Sequence, residues 1–299
     1  MMPAPIHLQN VAIDYGGDPV IRGLSGCFAP GSLTAIAGEN GRGKSTLIKG
    51  IIGELPLSGG QISKGGMAGT DIAYLAQTST LERSFPFTVA DTVILGAWAQ
   101  TGAFRAVTRT IAKRAYQALC QVGLEKLENR PISTLSAGQL QRVLFARLIL
   151  QDAPVILLDE PFTAIDAQTT QDLIGVIRGW HRDGRTVIAV LHDFDHIRSH
   201  FPQTLFLHAY GNAWGDTQTI LPAAPQWPGT QHMQVPDHLA PQNTGNLHTT
   251  TMPAPATASA SASASASASA SASVLSPSHA PATPSSPTAA SPSKIRLMS

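Results

Sequence analysis

The sequence predicts an α/β fold with a largely parallel sheet, and three observations carry that prediction. Strand-like runs alternate with helix-like runs from about residue 6 to about residue 220, the order produced when helices cross between parallel strands. Two of the strand-like runs, residues 155–158 and 186–191, are apolar almost throughout, as strands buried on both faces require. The third is the stretch Gly38-Glu39-Asn40-Gly41-Arg42-Gly43-Lys44-Ser45-Thr46, which follows the apolar run 33–37 and precedes Leu47-Ile48-Lys49-Gly50-Ile51-Ile52. Strand, glycine-rich loop, helix is the context in which four residues between two glycines, then Lys and Ser/Thr, form a phosphate-binding loop.

The residue types suit polyphosphate. Gly41 and Gly43 lack Cβ, so the backbone approaches the phosphates and turns its N–H groups inward. The helix that begins there points its positive end at the anion. Lys44 reaches the β- and γ-phosphates, and the Ser45 hydroxyl is placed to ligate Mg²⁺. ATP and Mg²⁺ are therefore the expected cofactors.

The middle of the chain, about 88–150, reads differently. Ile111, Ala115, Ala118, Leu119 and Val122 share one helical face and Gly123 supplies a stop, so this stretch is expected to be a helical insertion. After residue 222 prolines become frequent and apolar periodicity ends; residues 259–273 are strict Ser-Ala alternation. Alanine offers too little surface to offset the cost of ordering, so 223–299 is expected to be a disordered tail and 1–222 the folded domain. His232, His238, His248 and His279 are scattered in that tail and read as solvated histidines.

Composition narrows the partners. Lys plus Arg total 20 against 19 acidic residues, a net charge of +1 over 299 residues, which gives no electrostatic footprint for nucleic acid. Cys27 and Cys120 have no metal-ligand spacing and read as small apolar residues in a reducing compartment. Residues 1–10 show no secretory signal, and no run of about 18 apolar residues suggests a membrane span.

Two further motifs complete the constellation. The apolar run 155–158 ends in Asp159-Glu160, which puts two carboxylates at the edge of the sheet where α/β ligands bind. Asp159 is expected to hold Mg²⁺, and Glu160 to act as general base or to orient the attacking water. Between the loop and these acids lies Leu135-Ser136-Ala137-Gly138-Gln139, followed by a helical run. Here the chain resembles ABC transporter nucleotide-binding subunits, whose signature is Leu-Ser-Gly-Gly-Gln, with Ala137 in place of the commoner glycine. The resemblance covers about residues 8–220. It implies an ABC ATPase fold: a phosphate-loop core, an antiparallel β portion at the N-terminus and a helical subdomain. It also implies that Ser136, Ala137, Gly138 and Gln139 contact the γ-phosphate bound to a second copy. Tyr15 would stack on adenine, Gln77 would touch Mg²⁺ and the attacking water, Asp166 would lie in the dimer-interface loop, and His192 would bond the γ-phosphate.

Within that family, Ser84-Phe85-Pro86, Val89, Asp91, Val93, Leu95-Gly96 and Trp98, with Pro161-Phe162-Thr163-Ala164-Ile165-Asp166 and Val190-Leu191-His192-Asp193, resemble the zinc/manganese importer branch. Zinc is the first expectation, and manganese, iron-chelate and export systems are the alternatives. The implied partners are a transmembrane permease, a second copy of the chain and, indirectly, a substrate-binding protein, with the subunit peripheral on the cytoplasmic face of the membrane. Phe85-Pro86-Phe87 is expected either to dock the permease or to pack in the domain core.

Overall fold

The computed structural model describes residues 3–77, 86–102, 106–208 and 211–221. Phe85 and the tail lie outside them. Five parallel strands form the centre: β3 (Leu33–Gly38), β5 (Ile72–Leu75), β6 (Val155–Asp159), β7 (Thr186–Val190) and β8 (Gln203–His208), with β9 (Gly211–Asp216) antiparallel at one edge. The spatial order is β5-β6-β7-β3-β8-β9. A second, antiparallel sheet in the order β2-β1-β4 is made by β1 (Ile6–Ile13), β2 (Ile21–Phe28) and β4 (Gly59–Ser63).

The continuous apolar strands are explained by two cores. Along β6, Val155 and Leu157 join the cluster shared with β1, β2 and α1 (Lys44–Ile52), whereas Ile156 and Leu158 join the cluster on the helical side. Side chains alternate across a strand, so a strand between two apolar layers must be apolar at every position. All five residues of β6 and of β7 are buried.

The helical side is built from α2 (Val89–Ile94), α3 (Trp98–Thr101), α4 (Arg109–Gln121) and α5 (Ala137–Gln151), followed after β6 by α6 (Ala167–Arg182). In α4, Ile111, Ala115, Ala118 and Leu119 are buried, Thr108 caps the start, and Gly123 follows in the left-handed region at φ 69°. Each of α2, α4, α5 and α6 is capped by a side chain: Thr88, Thr108, Ser136 and Asp166. A cap of this kind satisfies a backbone N–H that the helix itself leaves unpaired. Two short helices, α7 (Phe194–His200) and α8 (Thr217–Ile220), flank the last strands.

The cysteines depart from expectation. Both are free and exposed, Cys27 on β2 and Cys120 in the last turn of α4. Neither fills the core as a small apolar residue. Among the described residues, no helix is long and apolar enough to cross a membrane.

Candidate functional site

The phosphate loop bridges the end of β3 and the start of α1. Gly41 and Gly43 sit at φ 79° and 82°, a left-handed conformation that costs other residues about 1 kcal/mol or more. Gly38 has a second reason to be glycine. A Cβ there would lie 2.3 Å from the Leu207 carbonyl oxygen of β8, so any side chain would push the loop off the neighbouring strand. Lys44 is buried. Its Nζ donates to the carbonyl oxygens of Gly38 at 2.9 Å and Glu39 at 2.8 Å, closing the loop on itself. Burial pulls the Lys44 pKa down, while Glu160, Asp159 and Glu39 oppose that pull.

Neighbouring strands bring the remaining groups to the same end of the sheet. The Ser45 hydroxyl donates to Asp159 Oδ1 at 2.9 Å. Asp159 is only 3% exposed, and burial pushes its pKa up, with the Ser45 hydrogen bond opposing. Glu160 follows in the left-handed region at φ 51°, and its N–H donates to the Val190 carbonyl at the end of β7 at 3.2 Å. This turn aims its carboxylate into a polar knot. Gln77 Nε2 donates to Oε2 at 2.9 Å, Thr163 Oγ1 donates to the same oxygen at 3.3 Å, and His192 Nε2 meets Oε1. An open pocket of about 350 Å³ borders Glu160 and His192. Neither Asp159 nor Glu160 caps the following helix, because α6 starts only at Ala167 under its own cap.

The signature residues form a second cluster. Ser136 and Gln139 bond reciprocally at 3.2 Å, a capping box at the start of α5. A Cβ on Gly138 would meet Thr169 Oγ1 at 3.3 Å and Asp166 Oδ2 at 3.4 Å, so a bare backbone lets α5 approach α6. Asp166 accepts from the Thr169 N–H and hydroxyl, each at 2.8 Å. Ala137 is partly exposed in the first turn. Tyr15 lies beside the phosphate loop, its ring 63% exposed and its hydroxyl 3.1 Å from Thr46 Oγ1. Asn40 is exposed at the tip of the loop.

Sequence reasoning missed three contributors. Gln141 is buried and donates to the Pro161 carbonyl at 2.8 Å, tying the signature helix to the residue after Glu160. Arg142 spans α5 and α6, reaching Asp172 at 2.7 Å and Thr169 at 3.3 Å. Thr163 adds a donor to Glu160. Their types, Gln, Arg and Thr on or near helices, carry no signal that distinguishes them from surface residues.

A glycine loop at the end of β3, with a Lys-Ser pair facing an Asp-Glu pair where β6 ends, defines a phosphate-loop nucleotide hydrolase. The family model for the ABC transporter matches residues 21–163. The manganese transport system ATP-binding protein MntB of Bacillus subtilis is 35% identical over 220 residues, covering 72% of this chain and 88% of that protein. The zinc transport system ATP-binding protein TroB of Treponema pallidum is 34% identical over 207 residues, covering 68% and 78%. A solved transporter assigned to the metal-chelate ABC type, in an inward-facing conformation, superposes with a TM-score of 0.66 at 26% identity, over 74% of this chain and 86% of that one. An ATP-binding cassette in its ADP conformation shares the fold at a TM-score of 0.62 and 20% identity, covering 74% of this chain and 95% of that one. The chain belongs to the ABC transporter ATP-binding family. It is an ATP-binding, ATP-hydrolysing transporter subunit.

Proposed function

We propose that this chain powers the uptake of a divalent transition metal, zinc first, through ATP-driven head-to-tail pairing of two copies. The observation that carries the reading is the gathering of Lys44, Ser45, Asp159, Glu160, Gln77 and His192 at one end of the sheet. The names of the Treponema and Bacillus relatives support metal as the cargo, and the second of them favours manganese as the alternative reading.

The residues support a division of labour. Lys44 exchanges its two loop carbonyls for phosphate oxygens when nucleotide enters. Ser45 and Asp159, oxygen donors 2.9 Å apart, are of the kind Mg²⁺ prefers, with Gln77 nearby as a further oxygen. Ser45, Asp159 and Gln77 would hold Mg²⁺ there, and the ion would supply positive charge to offset that of the phosphates. Glu160, held in place by Gln77 and Thr163, accepts the proton of the attacking water. His192 turns from Glu160 to the γ-phosphate. Tyr15 offers an exposed ring for the base to stack on, and Ser136 to Gln139 with Asp166 complete the site of the second copy.

The wider assembly follows the same reading. A transmembrane permease receives the work, a substrate-binding protein delivers the metal to it, and this subunit sits on the cytoplasmic face of the membrane. Residues 1–222 are the working cassette and 223–299 a dispensable tail. Phe87 is partly buried against the helical-side core, which favours packing for that residue, while Pro86 beside it and Trp98 in the insertion are exposed and suit a permease contact. The decisive test is growth of a deletion strain under chelation with zinc, manganese or iron restored singly. Rescue by zinc alone supports the first reading, rescue by manganese alone the second, and indifference to all three removes both. A chain ending at residue 222 should keep full ATPase activity; loss of folding would overturn the division at that boundary.

A further inference from the structure

The phosphate loop contains a local contradiction. Glu39 puts a carboxylate in a loop whose ligand, on the reading above, is a polyanion. Like charges there repel, and the repulsion weakens nucleotide binding unless something cancels it. The sequence offers two cations in the loop, Arg42 and Lys44, and the structure divides them. Lys44 is spent on the backbone, at the carbonyls of Gly38 and Glu39. Arg42 is spent on the carboxylate: its Nε and Nη2 donate to Glu39 Oε2 at 2.8 and 2.7 Å. The guanidinium of Arg42 holds the Glu39 carboxyl below its ordinary value, and His208 and Lys44 act in the same direction. The backbone N–H of Arg42 also reaches the Glu39 carbonyl at 3.4 Å, so the turn and the ion pair reinforce each other.

We propose that Arg42 is a positioning residue for nucleotide binding that acts through Glu39, cancelling and turning aside a carboxylate that would otherwise face the triphosphate. The pair works as a unit. Glu39 and Arg42 side chains are 36% and 41% exposed, so solvent screens the pair and its value to folding alone is small. Its effect on a ligand of several negative charges is larger, because the uncompensated carboxylate acts on every phosphate at once. The inference rests on the loop being the nucleotide site.

The test is a double-mutant cycle on the full chain, Arg42→Ala, Glu39→Gln and the two combined. Binding of a non-hydrolysable ATP analogue and of ADP is measured by calorimetry at low and high salt, with thermal melting of each variant in the absence of nucleotide as the folding control. Arg42→Ala should bind the ATP analogue about tenfold more weakly, ADP less affected, with the loss shrinking at high salt. Glu39→Gln should bind at least as well as wild type, and the double variant should return to within about threefold of it. An Arg42→Ala variant that binds normally overturns the proposal. So does a double variant as weak as the single one, since that outcome makes Arg42 a direct phosphate contact. A wild-type chain that binds neither nucleotide overturns the site assignment itself, and this inference with it.

Discussion

The two polar clusters of this molecule are made in opposite ways. Around Glu160 and Asp159, beside the local bond from Thr163, three bonds join distant parts of the chain: Ser45 to Asp159 across 114 residues, Gln77 to Glu160 across 83, His192 to Glu160 across 32. Around the signature every cap is local, with Ser136 bonded to Gln139 and Asp166 to Thr169, each three residues away. The first cluster exists only once the parallel sheet has assembled. The second would form at the start of almost any helix, and it acquires a specific ligand only if something is brought to it. That contrast is what the head-to-tail reading uses: one cluster is a site, and the other is half of a site.

The comparison can be broken at its strongest point first. Replacing Glu160 by Gln keeps the hydrogen-bonding shape and removes the proton acceptor. Hydrolysis should fall by about 10²- to 10⁴-fold while ATP stays bound, because a positioned base contributes about that factor. Single-turnover measurements with labelled ATP check this, and wild-type rates would remove Glu160 from the chemistry. Ser136→Ala addresses the other cluster. If the signature serves a second copy, ATP affinity measured on dilute monomer should not change, and hydrolysis at concentrations that favour pairing should drop about tenfold. A parallel loss of monomer affinity would place Ser136 in its own chain's site.

A smaller effect tests the connection between them. Gln141 is buried in α5, and its amide meets the carbonyl of Pro161, next to Glu160. Gln141→Leu leaves that carbonyl without this donor, at a cost of about 1–3 kcal/mol. Melting temperature should fall, and kcat should fall more than the affinity for ATP, since Glu160 rather than Lys44 loses its support. Equal losses in both would make Gln141 merely structural.

How much of this was legible follows from the same contrast. The phosphate loop, Asp159-Glu160 and the buried strands could be read because each needs residue types that are rare in that combination: glycines at positive φ, acids directly after a fully apolar strand. The α4 face could be read because its period is local. What could not be read is pairing across the fold. Nothing in the order of residues says that Gly38 must clear the Leu207 carbonyl, that Thr163 supports Glu160, or that Cys27 faces outward on β2. Glu39 and Arg42 were visible as loop residues, but their mutual cancellation needed the turn that brings them together.

The smallest expected effect concerns Asp166, and its pH dependence can be signed. The Thr169 N–H holds the Asp166 carboxyl below its ordinary 3.8, with the Thr169 hydroxyl adding to the pull and burial opposing it weakly. A carboxyl depressed in the folded state contributes stability that is complete above the unfolded value and is lost as pH falls through the folded value. The cap on α6 should therefore weaken only below about pH 3.8. Asp166→Asn keeps an oxygen that accepts from the Thr169 N–H, and asparagine caps about as well as aspartate, but it has no charge to lose. The variant should melt slightly lower than wild type at pH 7, where the carboxylate also favours the helix start, and the two curves should converge as the pH drops toward 3. A gap that stays constant across that range would mean the charge of Asp166 does nothing for α6. Its acid would then have to be explained by what it meets on a second copy, which a matching drop in hydrolysis at pH 7 with unchanged monomer affinity would reveal.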